Sequence, residues 1–256
     1  MKVDFATFCY KGDAHRLHAP GQIIRQIKSN NFLFGTMIII YQGVRTGNYM
    51  SNDFCTSEIT KCCKVNTSVP VIENGEYGID AILTRFGIDL DRSQYVSQTD
   101  TAHTWKNHVV NHLAAVKQSE ADYIVFADND CWIVRQPKGK SWVDIGIKYL
   151  ESHPEIFIVS PNDGEPQRVT QRMSQQMFLA RVDEFRNADF NQPGWDGNVN
   201  IPGGPMPEYW AMLEGRMELH CRVTGQYRYV LGPEYRYYHH NKLTKDDLFE
   251  TDLSKY

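Results

Sequence analysis

The sequence predicts an α/β fold, a Rossmann-type central sheet flanked by helices, formed as a single domain. Three observations point there. Short β-branched or aromatic runs alternate with segments whose apolar residues recur at helical steps of three and four. One run, Thr36–Tyr41 (TMIIIY), is apolar almost throughout, as in a strand buried on both faces. The length of 256 residues fits one α/β domain, which reaches about 250.

The elements follow in order. Val3–Cys9 (VDFATFC) reads as a first strand, and Lys11-Gly12-Asp13 breaks it. Ile23, Ile24 and Ile27 have helical spacing. Thr36–Tyr41 is the second strand, Gly43–Asn66 a long polar loop, and Val69–Ile72 a short third strand. Trp105, Val109, Leu113 and Val116 mark one face of a helix. Asp122–Ala127 (DYIVFA) is a strand stopped by Asp128-Asn129-Asp130. Trp142, Ile145 and Tyr149 mark the next helix, and Ile156–Ser160 the next strand. This alternation indicates βαβ units with a mainly parallel sheet over residues 1–160.

Beyond residue 160 the pattern loosens. Pro161–Pro166 is rich in turn formers, and Met173–Val182 reads as a strand. Asn187–Pro207 holds four Gly and four Pro, which predicts an irregular loop. Trp210, Leu213, Met217 and Cys221 fit a helix face. Arg228–Leu231 and Tyr235–His239 are short aromatic strands, and Lys242–Tyr256 is a charged tail.

Composition narrows the classes. Hydrophobic residues at 41% and charged residues at 23% are ordinary globular usage, against disorder or a coiled coil. A net charge of −4 with no basic run gives no pull toward nucleic acid. The start Met1-Lys2-Val3-Asp4 lacks the apolar stretch of a secretory leader, and no run approaches the roughly 20 apolar residues of a transmembrane segment. The six cysteines show no CxxC pair, so reduced thiols and a cytoplasmic setting are expected.

The chemistry concentrates in Asp128-Asn129-Asp130. Carboxylates that follow a buried strand emerge at the C-terminal edge of the sheet, where open α/β sheets place ligands. Two carboxylates separated by one residue can reach one hard cation, and Mg²⁺ suits carboxylates plus substrate phosphates. The triplet also reads as an acidic turn, since Asp and Asn favour turns on their own account.

The stretch YIVFADND, preceded by Glu120-Ala121-Asp122, resembles the strand and DxD motif of GT-A-fold glycosyltransferases of the family 2 type. The first strand with Tyr10-Lys11-Gly12-Asp13 looks like that family's nucleotide-contacting strand and loop. TMIIIY followed by Gln42-Gly43 is similar to its second strand. The run from Glu208 to Asn241 is similar to the stretch that carries the acidic catalytic helix and a downstream metal-binding His. The resemblance spans nearly the whole chain, and it implies a GT-A-like mixed central sheet. It implies a nucleotide-sugar-binding half at 1–160 and an acceptor-binding, catalytic half at 161–256.

Residue by residue, the resemblance implies that Asp130 binds a divalent ion and that Asp128 contacts the ribose or donor sugar and lies within metal reach. Asn129, Tyr10, Lys11, Asp13 and Lys106 fall on the donor side. His239 or His240 completes the metal shell, which suits Mn²⁺ better than Mg²⁺ because imidazole is a ligand. Glu214 matches the acidic residue of the catalytic helix, the first candidate base, although Gly215 stands where the family often has Asp. Asp196 is the second candidate base and Glu208 the third. A base here takes the proton of an acceptor hydroxyl as it attacks the anomeric carbon. Arg16, Arg168 and Arg172 are further cations for the leaving diphosphate. Trp195, Tyr209 and Trp210 are candidates to stack on an acceptor sugar, within or beside the Gly194–Pro207 loop expected to shape that site.

The expected function is therefore metal-dependent transfer from a UDP- or GDP-linked sugar donor to a glycan or other hydroxyl acceptor, leaning to inversion. Two alternatives stand. A sugar-nucleotidyltransferase requires a Gly-rich phosphate loop after the first strand, where only Gly12 is found. A GT-A-like carbohydrate- or nucleotide-binding protein without turnover would be distinguished by its failure to hydrolyse a nucleotide sugar. The P-loop and GxGxxG patterns are absent.

Overall fold

A computed structural model describes residues 1–10, 22–42, 63–72, 84, 87–89, 103–164, 166–191 and 212–239. Its side-chain description excludes 9, 10, 41, 42, 63–72 and 103–108. The strands are β1 (Val3–Tyr10), β2 (Phe34–Gln42), β3 (Cys63–Ile72), β4 (Tyr123–Ala127), β5 (Trp132–Arg135), β6 (Ile156–Ser160), β7 (Arg168–Thr170), β8 (Met177–Arg181), β9 (Tyr227–Val230) and β10 (Arg236–Tyr238). The helices are α1 (Gln22–Lys28), α2 (His103–Gln118), α3 (Trp142–Ser152), α4 (Val182–Asn187) and α5 (Leu213–Thr224).

Eight strands form one mixed sheet in the order β3-β2-β1-β4-β8-β6-β9-β7, and β10 pairs with β5 in a separate ribbon. The first four positions are parallel, with Thr7 opposite Ile39 on one side and Ala127 on the other. β8 runs antiparallel to both β4 and β6. The mixed α/β sheet is the one the sequence predicts.

Alternation along the strands divides the core into two layers. Phe5, Ile39, Val125 and Leu179 face α1 and α3, packing on Ile23, Ile27, Trp142, Ile147 and Leu150. Phe8, Ile38, Phe126 and Phe178 face the other way, onto Val109 and Leu113 of α2, Phe185 of α4 and Met217 of α5. Successive side chains of a strand point to opposite faces, so a strand covered on both sides must be apolar throughout. β4 is buried at every position for this reason.

Helix ends follow their local chemistry. Ser141 caps α3 by accepting from Val143 N. α3 lies so close to β8 that a Cβ on Gly146 would meet Leu179 Cδ2 at 2.8 Å. Gly225 ends α5 at φ 74°, a left-handed cap that suits glycine. No described helix is long and apolar enough to cross a membrane.

Several boundaries differ from the sequence reading. β3 begins at Cys63, inside the expected polar loop, because it pairs with the whole of β2. The strand expected over Met173–Val182 is confined to Met177–Arg181, and Val182 opens α4. Helix α5 starts at Leu213, and Trp210, expected on its face, lies outside the described residues.

Two outcomes follow from this packing. Trp142 is fully buried, and its Nε1 donates to Asn30 Oδ1 at 2.6 Å. Trp142→Ala is expected to cost about 3–5 kcal/mol in urea unfolding. Burial holds His220 of α5 below its ordinary value of 6.5. The unfolded chain thus binds that proton more tightly, and the folded state loses stability as pH falls through 6.5. His220→Gln is expected to lose less unfolding free energy than the wild type between about pH 7.5 and about pH 5.5.

Candidate active site

Strand β4 ends at Ala127, and the chain turns at once. Cys131 N donates to Asp128 O at 3.0 Å to close the turn, and β5 begins at Trp132. Because β1 and β4 are parallel, Tyr10 ends β1 at this same edge of the sheet. Asp128 N donates to Gln176 O, 2.8 Å away, just before β8 starts. The antiparallel course of β8 places its beginning beside the end of β4.

The ribbon delivers the imidazole. Tyr238 lies opposite Trp132, so His239 follows into the space beside the acidic turn. His239 Nε2 is 3.8 Å from Asp130 Oδ1, and its Nδ1 is 3.4 Å from Gln176 Nε2. The Tyr237 hydroxyl donates to Gln176 Oε1 at 2.7 Å, fixing that amide. Burial pushes the Tyr237 hydroxyl well above its usual range, which keeps it a donor.

One donor atom from each of Asp128, Cys131 and His239 lies within 4.8 Å of the others. Burial raises the Cys131 thiol well above its usual value, and the neighbouring Asp128 and Asp130 charges raise it further. The thiolate is the metal-binding form, so Cys131 is the weakest donor of the group. Two carboxylates and an imidazole match a hard-to-borderline divalent cation, with Mn²⁺ favoured by the nitrogen. Asn129, only 4% exposed, is the inward corner of the turn.

Glu214 sits in the first turn of α5, where a carboxylate meets the positive end of the helix dipole. Its Oε1 accepts from Gln175 N at 3.1 Å. The adjacent residue is the one that holds Asp128, so base candidate and acidic turn share one backbone segment. Behind it lies Arg228, 3% exposed, bonded to Ser160 Oγ at 2.6 Å and paired with Asp163 at 3.5 Å. Burial lowers the Arg228 pKa, and the facing Asp163, Tyr237 and Glu214 oppose that shift.

The structure thus brings together Asp128, Asn129, Asp130, Glu214 and His239. Tyr10 ends β1 at the same edge, and Lys106 lies in α2, both with side chains outside the described set. Lys11, Asp13, Arg16, Trp195, Asp196, Glu208, Tyr209, Trp210 and His240 lie outside the described residues. Arg168 stands on β7 at the far edge of the sheet, with Arg172 just after it. Sequence reasoning missed Gln22, Gln26, Gln176 and Tyr237. Only the four-residue spacing of Gln22 and Gln26 was a visible signal, and the isoleucines between them masked it.

No protein-family model and no curated protein matches the sequence. Among solved structures, that of S. aureus TarS 1-349 superposes with a TM-score of 0.50 at 12% identity, covering 98% of this chain and 63% of that one. The chain therefore spans less than two thirds of that structure's length. Weaker likenesses are the same protein in complex with UDP-GlcNAc and mouse xyloside xylosyltransferase 1. The first has a TM-score of 0.45 and 13% identity, covering 93% of this chain and 58% of that one. The second has 0.42 and 11%, covering 73% and 68%. The fold assignment rests on the first of the three: an α/β domain with a mixed central sheet flanked by helices, the GT-A fold.

Proposed function

We propose that the chain is a cation-dependent glycosyltransferase. It moves a sugar from a UDP- or GDP-linked donor to a hydroxyl of a glycan or other acceptor, with inversion. The observation that carries this reading is the convergence of Asp128, Asp130 and His239 at the C-terminal edge of a GT-A sheet. In that fold class of open α/β sheets, this edge is the ligand edge.

Asp128, Asp130 and His239 would hold Mn²⁺ or Mg²⁺, which when bound offsets the charge developing on a diphosphate leaving group. Asp128 and Asn129 would contact the donor, and Tyr10, Lys11, Asp13 and Lys106 are the further candidates for that role. Glu214 is the base. It accepts the acceptor hydroxyl's proton as that oxygen attacks the anomeric carbon, and the bond from Gln175 N holds one of its oxygens in place. Asp196 is the second candidate for this role. The two buried thiols among the described residues, Cys131 and Cys221, suit a reducing cytoplasmic setting.

Two measurements test the reading. A thermal-shift series with UDP, GDP and dTDP, each with and without Mn²⁺, is expected to show a metal-dependent rise with one nucleotide. Asp130→Ala is expected to abolish that rise. No shift with any nucleotide in a folded sample would sink the donor-site reading. Glu214→Gln retains an oxygen for Gln175 N but cannot accept a proton. With the nucleotide sugar so identified, it is expected to lower kcat about 10²–10⁴-fold while nucleotide affinity holds. An unchanged kcat would remove Glu214 from the chemistry.

A further inference from the structure

The acidic turn is held from behind by two glutamines. Gln26 is fully buried, and its Nε2 donates to Asp128 O at 2.6 Å and to Cys131 O at 3.1 Å. Gln22 Nε2 donates to Asn129 O at 2.9 Å. The two residues are four apart on α1 and so share one face of the helix. Three of the four carbonyls of residues 128–131 therefore point at α1. The carboxylates of this clamped turn meet His239, whose Nε2 is 3.8 Å from Asp130 Oδ1 and which has a donor atom within 4.8 Å of a carboxylate oxygen of Asp128.

The chemistry of the clamp is as telling as its place. Lysine or arginine would satisfy the same carbonyls. Either would also put a positive charge behind two carboxylates and compete with any cation in front of them. A primary amide donates two hydrogen bonds and carries no charge. It orders the turn and leaves the negative potential of the carboxylates intact.

We infer that Gln26, seconded by Gln22, is a positioning residue for the cation-binding carboxylates of this chain. This inference rests on the cation site proposed above and adds to it the element that aims it. Groups behind a ligand commonly change metal affinity about 10–100-fold when removed.

The test is direct Mn²⁺ binding, read from the EPR signal of free Mn²⁺, on the wild type and three variants. Gln26→Met keeps the side chain's length and loses the donor. Gln22→Met does the same at a partly exposed position, where folding is not at stake. Asn30→Ala is the structural control: it loses the bond from Trp142 Nε1 and the bonds to Gln26 O and Ile27 O, loosening the end of the α1 segment without touching a carbonyl of the turn or the Gln26 amide. Gln26→Met is expected to raise the Mn²⁺ Kd about tenfold and Gln22→Met by a smaller factor. Asn30→Ala should lose stability in urea and keep the wild-type Kd. Wild-type Mn²⁺ affinity in Gln26→Met, or in Gln22→Met if Gln26→Met fails to fold, overturns the positioning role and leaves the cation site standing. A parallel loss of affinity in Asn30→Ala also overturns it, since general loosening would then suffice. A wild type that takes up no Mn²⁺ removes both the site and the clamp's purpose.

Discussion

The antiparallel placement of β8 next to β4 is the constraint on which the site depends. In an all-parallel sheet, the strand beside β4 would end where β4 ends and present its own C-terminus there. Here it begins there. That reversal sets Gln176 O against Asp128 N, and it carries residues 173–176 across the ligand edge. Everything else attaches to this crossing. Glu214 bonds the backbone of Gln175, Tyr237 bonds the side chain of Gln176, and that side chain approaches His239.

The energetic character of the region follows from burial. Asn129, Asp130, Gln26 and Arg228 are all at most 9% exposed. Polar groups so placed need partners, because desolvation without a hydrogen bond costs about 1–3 kcal/mol each. The main chain of the turn is held by the Gln22 and Gln26 amides of α1 and by Gln176 O before β8, while Arg228 bonds Ser160 Oγ and pairs with Asp163. Rigidity of the turn is thus built from many short contacts to main chain. The buried Arg228–Asp163 pair is charge-coupled to Tyr237 of β10 and Glu214 of α5.

What the sequence made legible was governed by how local each cause is. β2 and β4 were readable because burial on both faces leaves an apolar run, and the Asp128–Asp130 turn because three polar residues interrupt it. β5 was not, since Trp132–Arg135 is only four residues and begins one residue after the acidic turn. β7 is three residues with no buried position, so it carries no alternation. The starts of α4 and α5 lacked their usual signal: Arg181 and Met212 occupy the N-cap positions without a side-chain cap. Asp128, Asp130, His239 and Glu214 were singled out by residue type and by family resemblance. Gln176 had no such mark. Its part comes from a backbone carbonyl and a register, and neither is visible before the strands are paired.

The sequence separations within the site have a kinetic meaning. The clamp from Gln22 and Gln26 closes across 107, 102 and 105 residues, and the Gln176 bonds to Tyr237 and His239 across 61 and 63. Contacts of such range form late, because the chain entropy of closing long loops is lost before they return anything. A nascent chain that has emerged only as far as β6 already contains both carboxylates and both glutamines. It lacks Gln176, Glu214 and the imidazole. The proposed site would thus be complete only once β10 docks, so binding to it would report on that late step, and a ligand that fits the finished site would stabilise no earlier species.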